Sequence, residues 1–155
     1  MQEYKGQIDG HGQRIGIAVA QFNEVVTDRL LAGAVSALQQ YGVRDEDITV
    51  VRVPGAFELP RAAQELGQSG KVAGVIALGA VVRGATSHYD YVCSETARGI
   101  ADVSLHGPVP VMFGVLTTDT LDQAINRAGG KAGNKGADCA AGVLQMMHMS
   151  EWLSR

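Results

Sequence analysis

The sequence predicts a three-layer α/β domain built on a four-stranded parallel sheet. Three observations lead to this prediction. Short apolar runs alternate with longer amphipathic stretches, the runs are apolar throughout, and no linker, repeat or low-complexity segment divides the 155 residues. Strands that are apolar on both sides are buried on both faces, so helices must cover both sides of the sheet. A chain of this length can form one domain with a full core.

Residues 15–22 (IGIAVAQF) are predicted as the first strand, because they form a β-prone apolar run. Asn23 is a favoured N-cap residue for the helix that follows. That helix is indicated by apolar residues at helical spacing: Leu30, Leu31, Ala34, Val35, Leu38 and Tyr41. Gly42 provides its natural stop.

The middle of the chain predicts two strands, each followed by a helix. Residues 47–55 (DITVVRVPG) form the second strand, which Pro54 and Gly55 close. Residues 58–70 form a helix with Pro60 in its first turn, where proline is tolerated. The third strand is VAGVIALGAVV (72–82), and a helix from about 87 to 105 follows it.

The last third of the chain predicts one more strand and two helices. VPVMFGVL (109–116) is the strand, and Thr118 and Asp119 offer caps for the helix TLDQAINRAG. A final helix runs from about 134 to 153. The N-terminal stretch YKGQIDGHG does not fit the alternation and is predicted as either an extra edge strand or a loose tail.

Composition argues against several classes of function. The net charge is −3 and no basic stripe is present, which argues against a nucleic-acid or membrane-surface protein. No segment reaches the roughly 20 apolar residues of a membrane span, and MQEYKGQIDG lacks the apolar core of a signal peptide. Cys93 and Cys139 have no CxxC partner, so they are expected to be packed thiols in a cytoplasmic protein.

Unusual residues gather where the predicted strands end. These are Phe22 and Asn23 after the first strand, PGAFE (54–58) after the second, GATSH (84–88) after the third and 113–118 at the end of the fourth. In parallel sheets ligands bind beyond the carboxyl ends of the strands. The four loops are therefore expected to converge on one pocket.

Residues 79–86 (GAVVRGAT) come close to the nucleotide-binding loop GxxxxGK[ST], but Ala85 stands where the lysine is required. Without that cation a nucleotide loses its main phosphate partner, which argues against an NTPase. The backbone N–H groups of Gly84, Ala85 and Thr86 still lie at a helix N-terminus, which attracts anions. An ordinary strand-to-helix turn with a Thr or Ser cap explains the same residues, and the stretch alone leaves both open.

Other candidate residues also have ordinary explanations. His88 could transfer protons or simply lie on a helix surface; no second ligand stands at metal-binding spacing, so we expect no metal. Phe22 and Phe113, both placed at strand ends, could stack on a planar substrate or pack in the core. Arg127, Lys131 and Lys135 flank a glycine-rich bend and could clamp an anion or form a solvated turn.

Five ordered segments resemble the lumazine synthase family of riboflavin biosynthesis: AQFN (20–23), VPGAFELP (53–60), ALGAVVRGATSHYDYV (77–92), PVMFGVLTTDTLDQAINRAG (110–129) and AGNKGADCA (132–140). The resemblance covers about residues 12 to 150. It implies a flavodoxin-like fold, no cofactor, and condensation of 5-amino-6-(D-ribitylamino)uracil with 3,4-dihydroxy-2-butanone 4-phosphate. The product would be 6,7-dimethyl-8-ribityllumazine, with release of phosphate and water.

The resemblance also assigns roles to residues. It implies that His88 transfers protons. The pyrimidine and its ribityl chain would be held by Phe22, Ala56, Phe57, Glu58, Ala80, Val81, Val82 and, from the adjacent subunit, Phe113. The phosphate would be held by Ala85, Thr86, Lys135 and, again from the adjacent subunit, Arg127.

The same resemblance implies an assembly. The family's minimal unit is a pentamer. The N-terminal segment (1–12) would add a strand to the sheet of a neighbouring subunit. Riboflavin synthase is a candidate partner. The bend GGKAGNKG (129–136) is as short as in shell-forming members, with Gly130 in place of their usual threonine, which favours an icosahedral shell. A non-catalytic flavin-binding or shell protein and a phosphate-sugar binding protein are the alternatives to the enzyme.

Overall fold

The computed structural model describes all residues from Met1 to Arg155. Its strands are β1 (Ile15–Ala20), β2 (Ile48–Val53), β3 (Gly74–Val82) and β4 (Val111–Thr118). Its α-helices are α1 (Glu24–Gln40), α2 (Leu59–Gln68), α3 (His88–His106), α4 (Leu121–Arg127) and α5 (Lys135–Leu153). Every predicted strand and helix is present, in the predicted order.

The four strands form one parallel sheet in the order β2-β1-β3-β4, which confirms the predicted α/β class. One core lies between the sheet and α1, α4 and α5, and a second lies between the sheet and α2 and α3. Side chains of β1 alternate between the two cores, with Ile17 and Val19 on the first side and Ala18 and Ala20 on the second. Both faces of the strand are therefore buried, which explains its uninterrupted apolar sequence.

Two predicted helix caps are wrong in detail. Asn23 occupies the N-cap of α1, but its side chain makes no capping hydrogen bond. The fourth strand continues to Thr118, so α4 is capped instead by Thr120, whose hydroxyl accepts the backbone N–H of Gln123. The Gln123 side chain bonds back to the backbone N–H of Thr120, completing a capping box. Asn134, by contrast, caps α5 by accepting the N–H of Ala137 at 3.1 Å.

The N-terminal segment forms no strand within the chain and packs along α5. The ring of Tyr4 stacks on Trp152, with centroids 4.7 Å apart and planes 4° from parallel. His148 Nε2 lies 2.8 Å from the carbonyl oxygen of Asp9. The segment is therefore neither an edge strand of its own sheet nor an unattached tail.

Candidate functional site

A cleft of about 680 Å³ opens at the carboxyl ends of β1, β2 and β3, and we call it the first cleft. This volume lies within the roughly 300–1,000 Å³ of pockets that hold small molecules. Nine of the predicted site residues line it: Phe22, Ala56, Phe57, Glu58, Ala80, Val81, Val82, Thr86 and His88. Three of the four predicted loops therefore do converge.

Asn23 lines the first cleft, and its side chain is used there instead of in a capping hydrogen bond. Its backbone is left-handed (φ 63°), which asparagine tolerates better than most residues. This conformation aims the side chain across the sheet, where Nδ2 donates a 2.8 Å hydrogen bond to the carbonyl oxygen of Ala80. The turn after β1 is thereby joined to the end of β3, and Phe22 is held at the rim.

Two phenylalanine rings border the first cleft with much of their surface open. Phe22 is 72% exposed and Phe57 is 59% exposed. The backbone N–H of Phe22 donates to the carbonyl oxygen of Pro54 at 3.0 Å, which ties the β1 turn to the turn after β2. Exposed aromatic rings beside a cleft are suited to stacking on a planar ligand, since contact would remove apolar surface from water.

The loop Gly84–Ser87 and the first residue of α3 close the other side of the first cleft. All four loop residues are exposed, and Thr86 lines the cleft while Ala85 lies beside it without lining it. The Ser87 side chain does not cap α3; the Thr86 hydroxyl accepts the N–H of His88 at a long 3.4 Å. The Asp90 N–H donates to the Ser87 carbonyl oxygen at 3.1 Å, but the N–H groups of residues 84–87 and of Tyr89 have no acceptor within the chain. These free donors are available to an anion, which favours the anion-binding interpretation of the loop.

A second cleft of about 730 Å³ lies beside β4, α4 and the start of α5. Its lining includes Phe113, Arg127 and Lys135, together with the carboxylates of Asp119 and Asp138. Phe113 is the third residue of β4 and not at a strand end, so that part of the prediction is wrong. Arg127 is the last residue of α4, and its guanidinium donates to the carbonyl oxygen of Gln123 at 3.0 Å.

The two clefts share one lining residue, Tyr89, in the first turn of α3. The expectation that all four loops line one pocket is therefore wrong within a single chain. The loop after β4 serves the second cleft because β4 is the edge strand beyond β3. Burial is the main cause that raises the pKa of the Tyr89 phenol above its ordinary value.

Sequence reasoning missed several residues of the first cleft, among them Tyr89, Tyr91 and Val92. Tyr91 is 70% exposed. One signal was available, because His88, Tyr91 and Val92 are spaced i, i+3 and i+4 and share a helix face. The contribution of Asn23 had no such signal, since its partner Ala80 is 57 residues away.

The thiol of Cys139 lines neither cleft. Cys139 is buried, and burial raises the pKa of its thiol to about 11, as expected of a packed thiol. No group of three or more His, Cys, Asp or Glu side chains is placed to hold a metal ion. None of the helices has the length and apolar character that crossing a membrane requires.

Sheet order and cleft position together define a flavodoxin-like domain with a cleft of small-molecule size at the carboxyl edge of its strands. Residues 12–151 match the family described as 6,7-dimethyl-8-ribityllumazine synthase. A protein of that name from Pediococcus pentosaceus is 56% identical over 155 residues, covering 100% of this chain and 99% of the relative. Synthases of the same name from Desulfatibacillum aliphaticivorans (54% identity; 95% of each chain) and Levilactobacillus brevis (58%; 91% and 90%) are similar to it as well. The chain belongs to the 6,7-dimethyl-8-ribityllumazine synthase family.

Proposed function

We propose that this protein condenses 5-amino-6-(D-ribitylamino)uracil with 3,4-dihydroxy-2-butanone 4-phosphate to give 6,7-dimethyl-8-ribityllumazine. The amine and the ketone form an imine with loss of water, phosphate is eliminated, and ring closure loses a second water. Membership of the synthase family carries this proposal. The first cleft supports it, because aromatic rings, an anion-binding turn and a histidine meet there.

The aromatic rim supports the placement of the pyrimidine. Phe22 is the proposed stacking partner of the ring, and the Ala56–Glu58 turn is proposed to hold the ring edge and ribityl chain with Phe57 beside it. The ends of β3 at Ala80, Val81 and Val82 would contribute through their backbone. A carboxylate at Glu58 suits the many hydroxyl donors of a ribityl chain.

The helix start supports the placement of the phosphate and the proton carrier. Ala85 and Thr86 are proposed to bind the phosphate through backbone N–H groups at the start of α3. His88 follows two residues later, within the same cleft, so its imidazole would lie near the leaving group where protons must move. Holding both substrates together is proposed to supply most of the remaining acceleration.

The proposal is tested by mixing the purified protein with both substrates and following lumazine and inorganic phosphate together. The two compounds are reactive enough that the uncatalysed reaction must run in parallel. We expect both products to appear in equal amounts and faster than this background. Product formation at the background rate from folded protein would overturn the proposal and leave a non-catalytic binding protein.

Replacing His88 by alanine should slow turnover by roughly 10- to 100-fold without abolishing it, because proximity survives when proton transfer is lost. The measurement is kcat in the coupled lumazine and phosphate assay. His106→Ala is the matched control, since that histidine is exposed at the far end of α3, lines neither cleft, and its side chain hydrogen-bonds to Asp102. Full activity of the His88 variant, or complete loss of activity in a folded His88 variant, would contradict the proposed role.

We further propose that each active site is shared between two copies of the chain. The proposed phosphate ligands are divided between the clefts of one chain, since Thr86 lines the first cleft and Arg127 and Lys135 line the second. A neighbour that presents its second cleft to the first cleft would bring Phe113, Arg127 and Lys135 to the substrates. Repeating this contact around a closed ring gives a cyclic oligomer, for which a pentamer is proposed.

The exposed edge of the sheet supports a role for the N-terminal segment in that ring. β2 is an edge strand, and Val50 within it is 40% exposed. A neighbour's residues 1–12 are proposed to pair with this edge. The short bend 129–136 favours assembly of pentamers into an icosahedral shell. Riboflavin synthase is a candidate for enclosure in that shell. Light scattering and electron microscopy would measure the size of the assembly.

A further inference from the structure

Arg83 connects three elements around the anion-binding loop. It directly follows β3, and its Nε donates to Asp119 Oδ1 at 2.9 Å on the loop between β4 and α4. Its guanidinium carbon lies 4.3 Å from the centroid of the Tyr89 ring in α3. Its Nη1 is also 3.7 Å from Asp90 Oδ1. This side chain has no role in the proposed chemistry.

The position of these contacts matters because they span the loop Gly84–Ser87. Arg83 lies immediately before the loop, and Tyr89 and Asp90 lie just after it. The loop is exposed along its length, and a methyl group placed on Gly84 would meet no atom within 4 Å. Neighbouring elements therefore do little to hold the loop, and its shape depends on how its two ends are joined.

Asp119 gives the contact a fixed anchor. Its backbone N–H donates to Gln123 Oε1 at 2.9 Å, within the capping arrangement that begins α4. The loop is therefore tied to the helix that ends at Arg127. The hydrogen bond from Arg83 to Asp119 is the main cause that raises the pKa of the guanidinium, in agreement with the short contact.

The charge of Arg83 also affects the loop, because two carboxylates lie next to it. Asp90 and Asp119 place two carboxylates beside a loop that is proposed to receive a phosphate. Arg83 is the cation that faces both. Without it, an incoming phosphate would meet uncompensated negative charge as well as a loosened loop.

We infer that Arg83 is a positioning residue that holds the anion-binding loop in shape and neutralises the two carboxylates next to it. This inference rests on the proposed function and adds a determinant of affinity for the phosphorylated substrate. Arginine suits the task because its planar group can stack on Tyr89 while its edge donates to Asp119. Lysine keeps the positive charge, but its ammonium group cannot stack on Tyr89 and donate to Asp119 at the same time.

The test is steady-state kinetics of Arg83→Met and Arg83→Lys with each substrate varied in turn. Since these contacts are partly exposed, we expect Arg83→Met to raise the KM for the phosphorylated substrate by about three- to tenfold. The KM for the pyrimidine and kcat should change by less than about twofold, because the loop does not form the aromatic rim. The inhibition constant of inorganic phosphate, used as a competitive inhibitor, should rise in parallel with this KM. The KM of Arg83→Lys for the phosphorylated substrate should lie between those of the wild type and Arg83→Met.

Arg44→Met is the matched control, because Arg44 also pairs with two carboxylates, Asp47 at 2.7 Å and Glu46 at 2.8 Å, but lies before β2 at the opposite edge of the sheet. Its kinetics should equal those of the wild type. An Arg83→Met variant with unchanged KM for the phosphorylated substrate, or with both KM values raised equally, would overturn the inference. An inactive wild type would instead overturn the proposed function, so the two failures are distinguishable.

Discussion

Arg127→Met should raise the KM for the phosphorylated substrate by roughly 10- to 100-fold, which corresponds to the 1.5–3 kcal/mol of a charge-assisted hydrogen bond. A guanidinium can grip a phosphate with two parallel N–H donors, which methionine cannot replace. The structure leaves this group oriented by one hydrogen bond to the Gln123 carbonyl oxygen in the second cleft. The measurement is KM for each substrate at constant ionic strength.

Lys131→Met provides the control for this prediction. Lys131 is an exposed cation in the same bend, but it lines neither cleft. Its removal changes the net charge by the same amount without removing a proposed ligand. If the two substitutions raised the KM for the phosphorylated substrate equally, general electrostatic attraction would explain the effect, and a specific role for Arg127 would be contradicted.

Sharing of the active site can be tested with the same variant. Phe22→Asp disables the first cleft and Arg127→Met disables the second. If each site joins the first cleft of one copy to the second cleft of its neighbour, random mixing of equal amounts restores about one quarter of the sites. If both clefts serve one chain, co-assembled variants show no recovery above their own activities, and the shared site is rejected.

Gly136→Ala should reduce the free energy of unfolding by about 3 kcal/mol, the upper part of the range for overpacked cores. Gly136 is buried in the first turn of α5, and an added methyl group would overlap the carbonyl oxygen of Leu30. That oxygen belongs to the backbone of α1, so it cannot move aside without separating the two helices. Chemical denaturation at a fixed protein concentration measures the change.

Gly142→Ala is the matched control on the same helix. The methyl group there would meet the terminal methyl of Met112, the flexible end of a side chain that can move. Alanine also favours the helix interior by up to about 1 kcal/mol over glycine, so the net change should stay within about 1 kcal/mol. Similar losses at the two glycines would contradict the argument from backbone contact.

Local patterns were sufficient to predict the secondary structure. Strands buried on both faces need uninterrupted apolar residues, and Gly42, whose φ is +103°, ends α1 as predicted. The sequence also carries the correct cap of α4, because Thr120 and Gln123 have the spacing of a capping box. Thr118 is instead the last residue of β4, which extends two residues beyond its predicted end.

The sequence by itself determined the fold class, the order of the elements and the family, since all three follow from the ordered identity of residues along the chain. Only the tertiary structure decided which of the predicted residues lie together. Thr86 and Arg127 line separate clefts, Asn23 reaches Ala80 instead of capping its helix, and Arg83 joins three elements. The physical reason is that sequence patterns report on neighbours within a helix or strand, whereas these contacts depend on the relative placement of elements far apart in the chain.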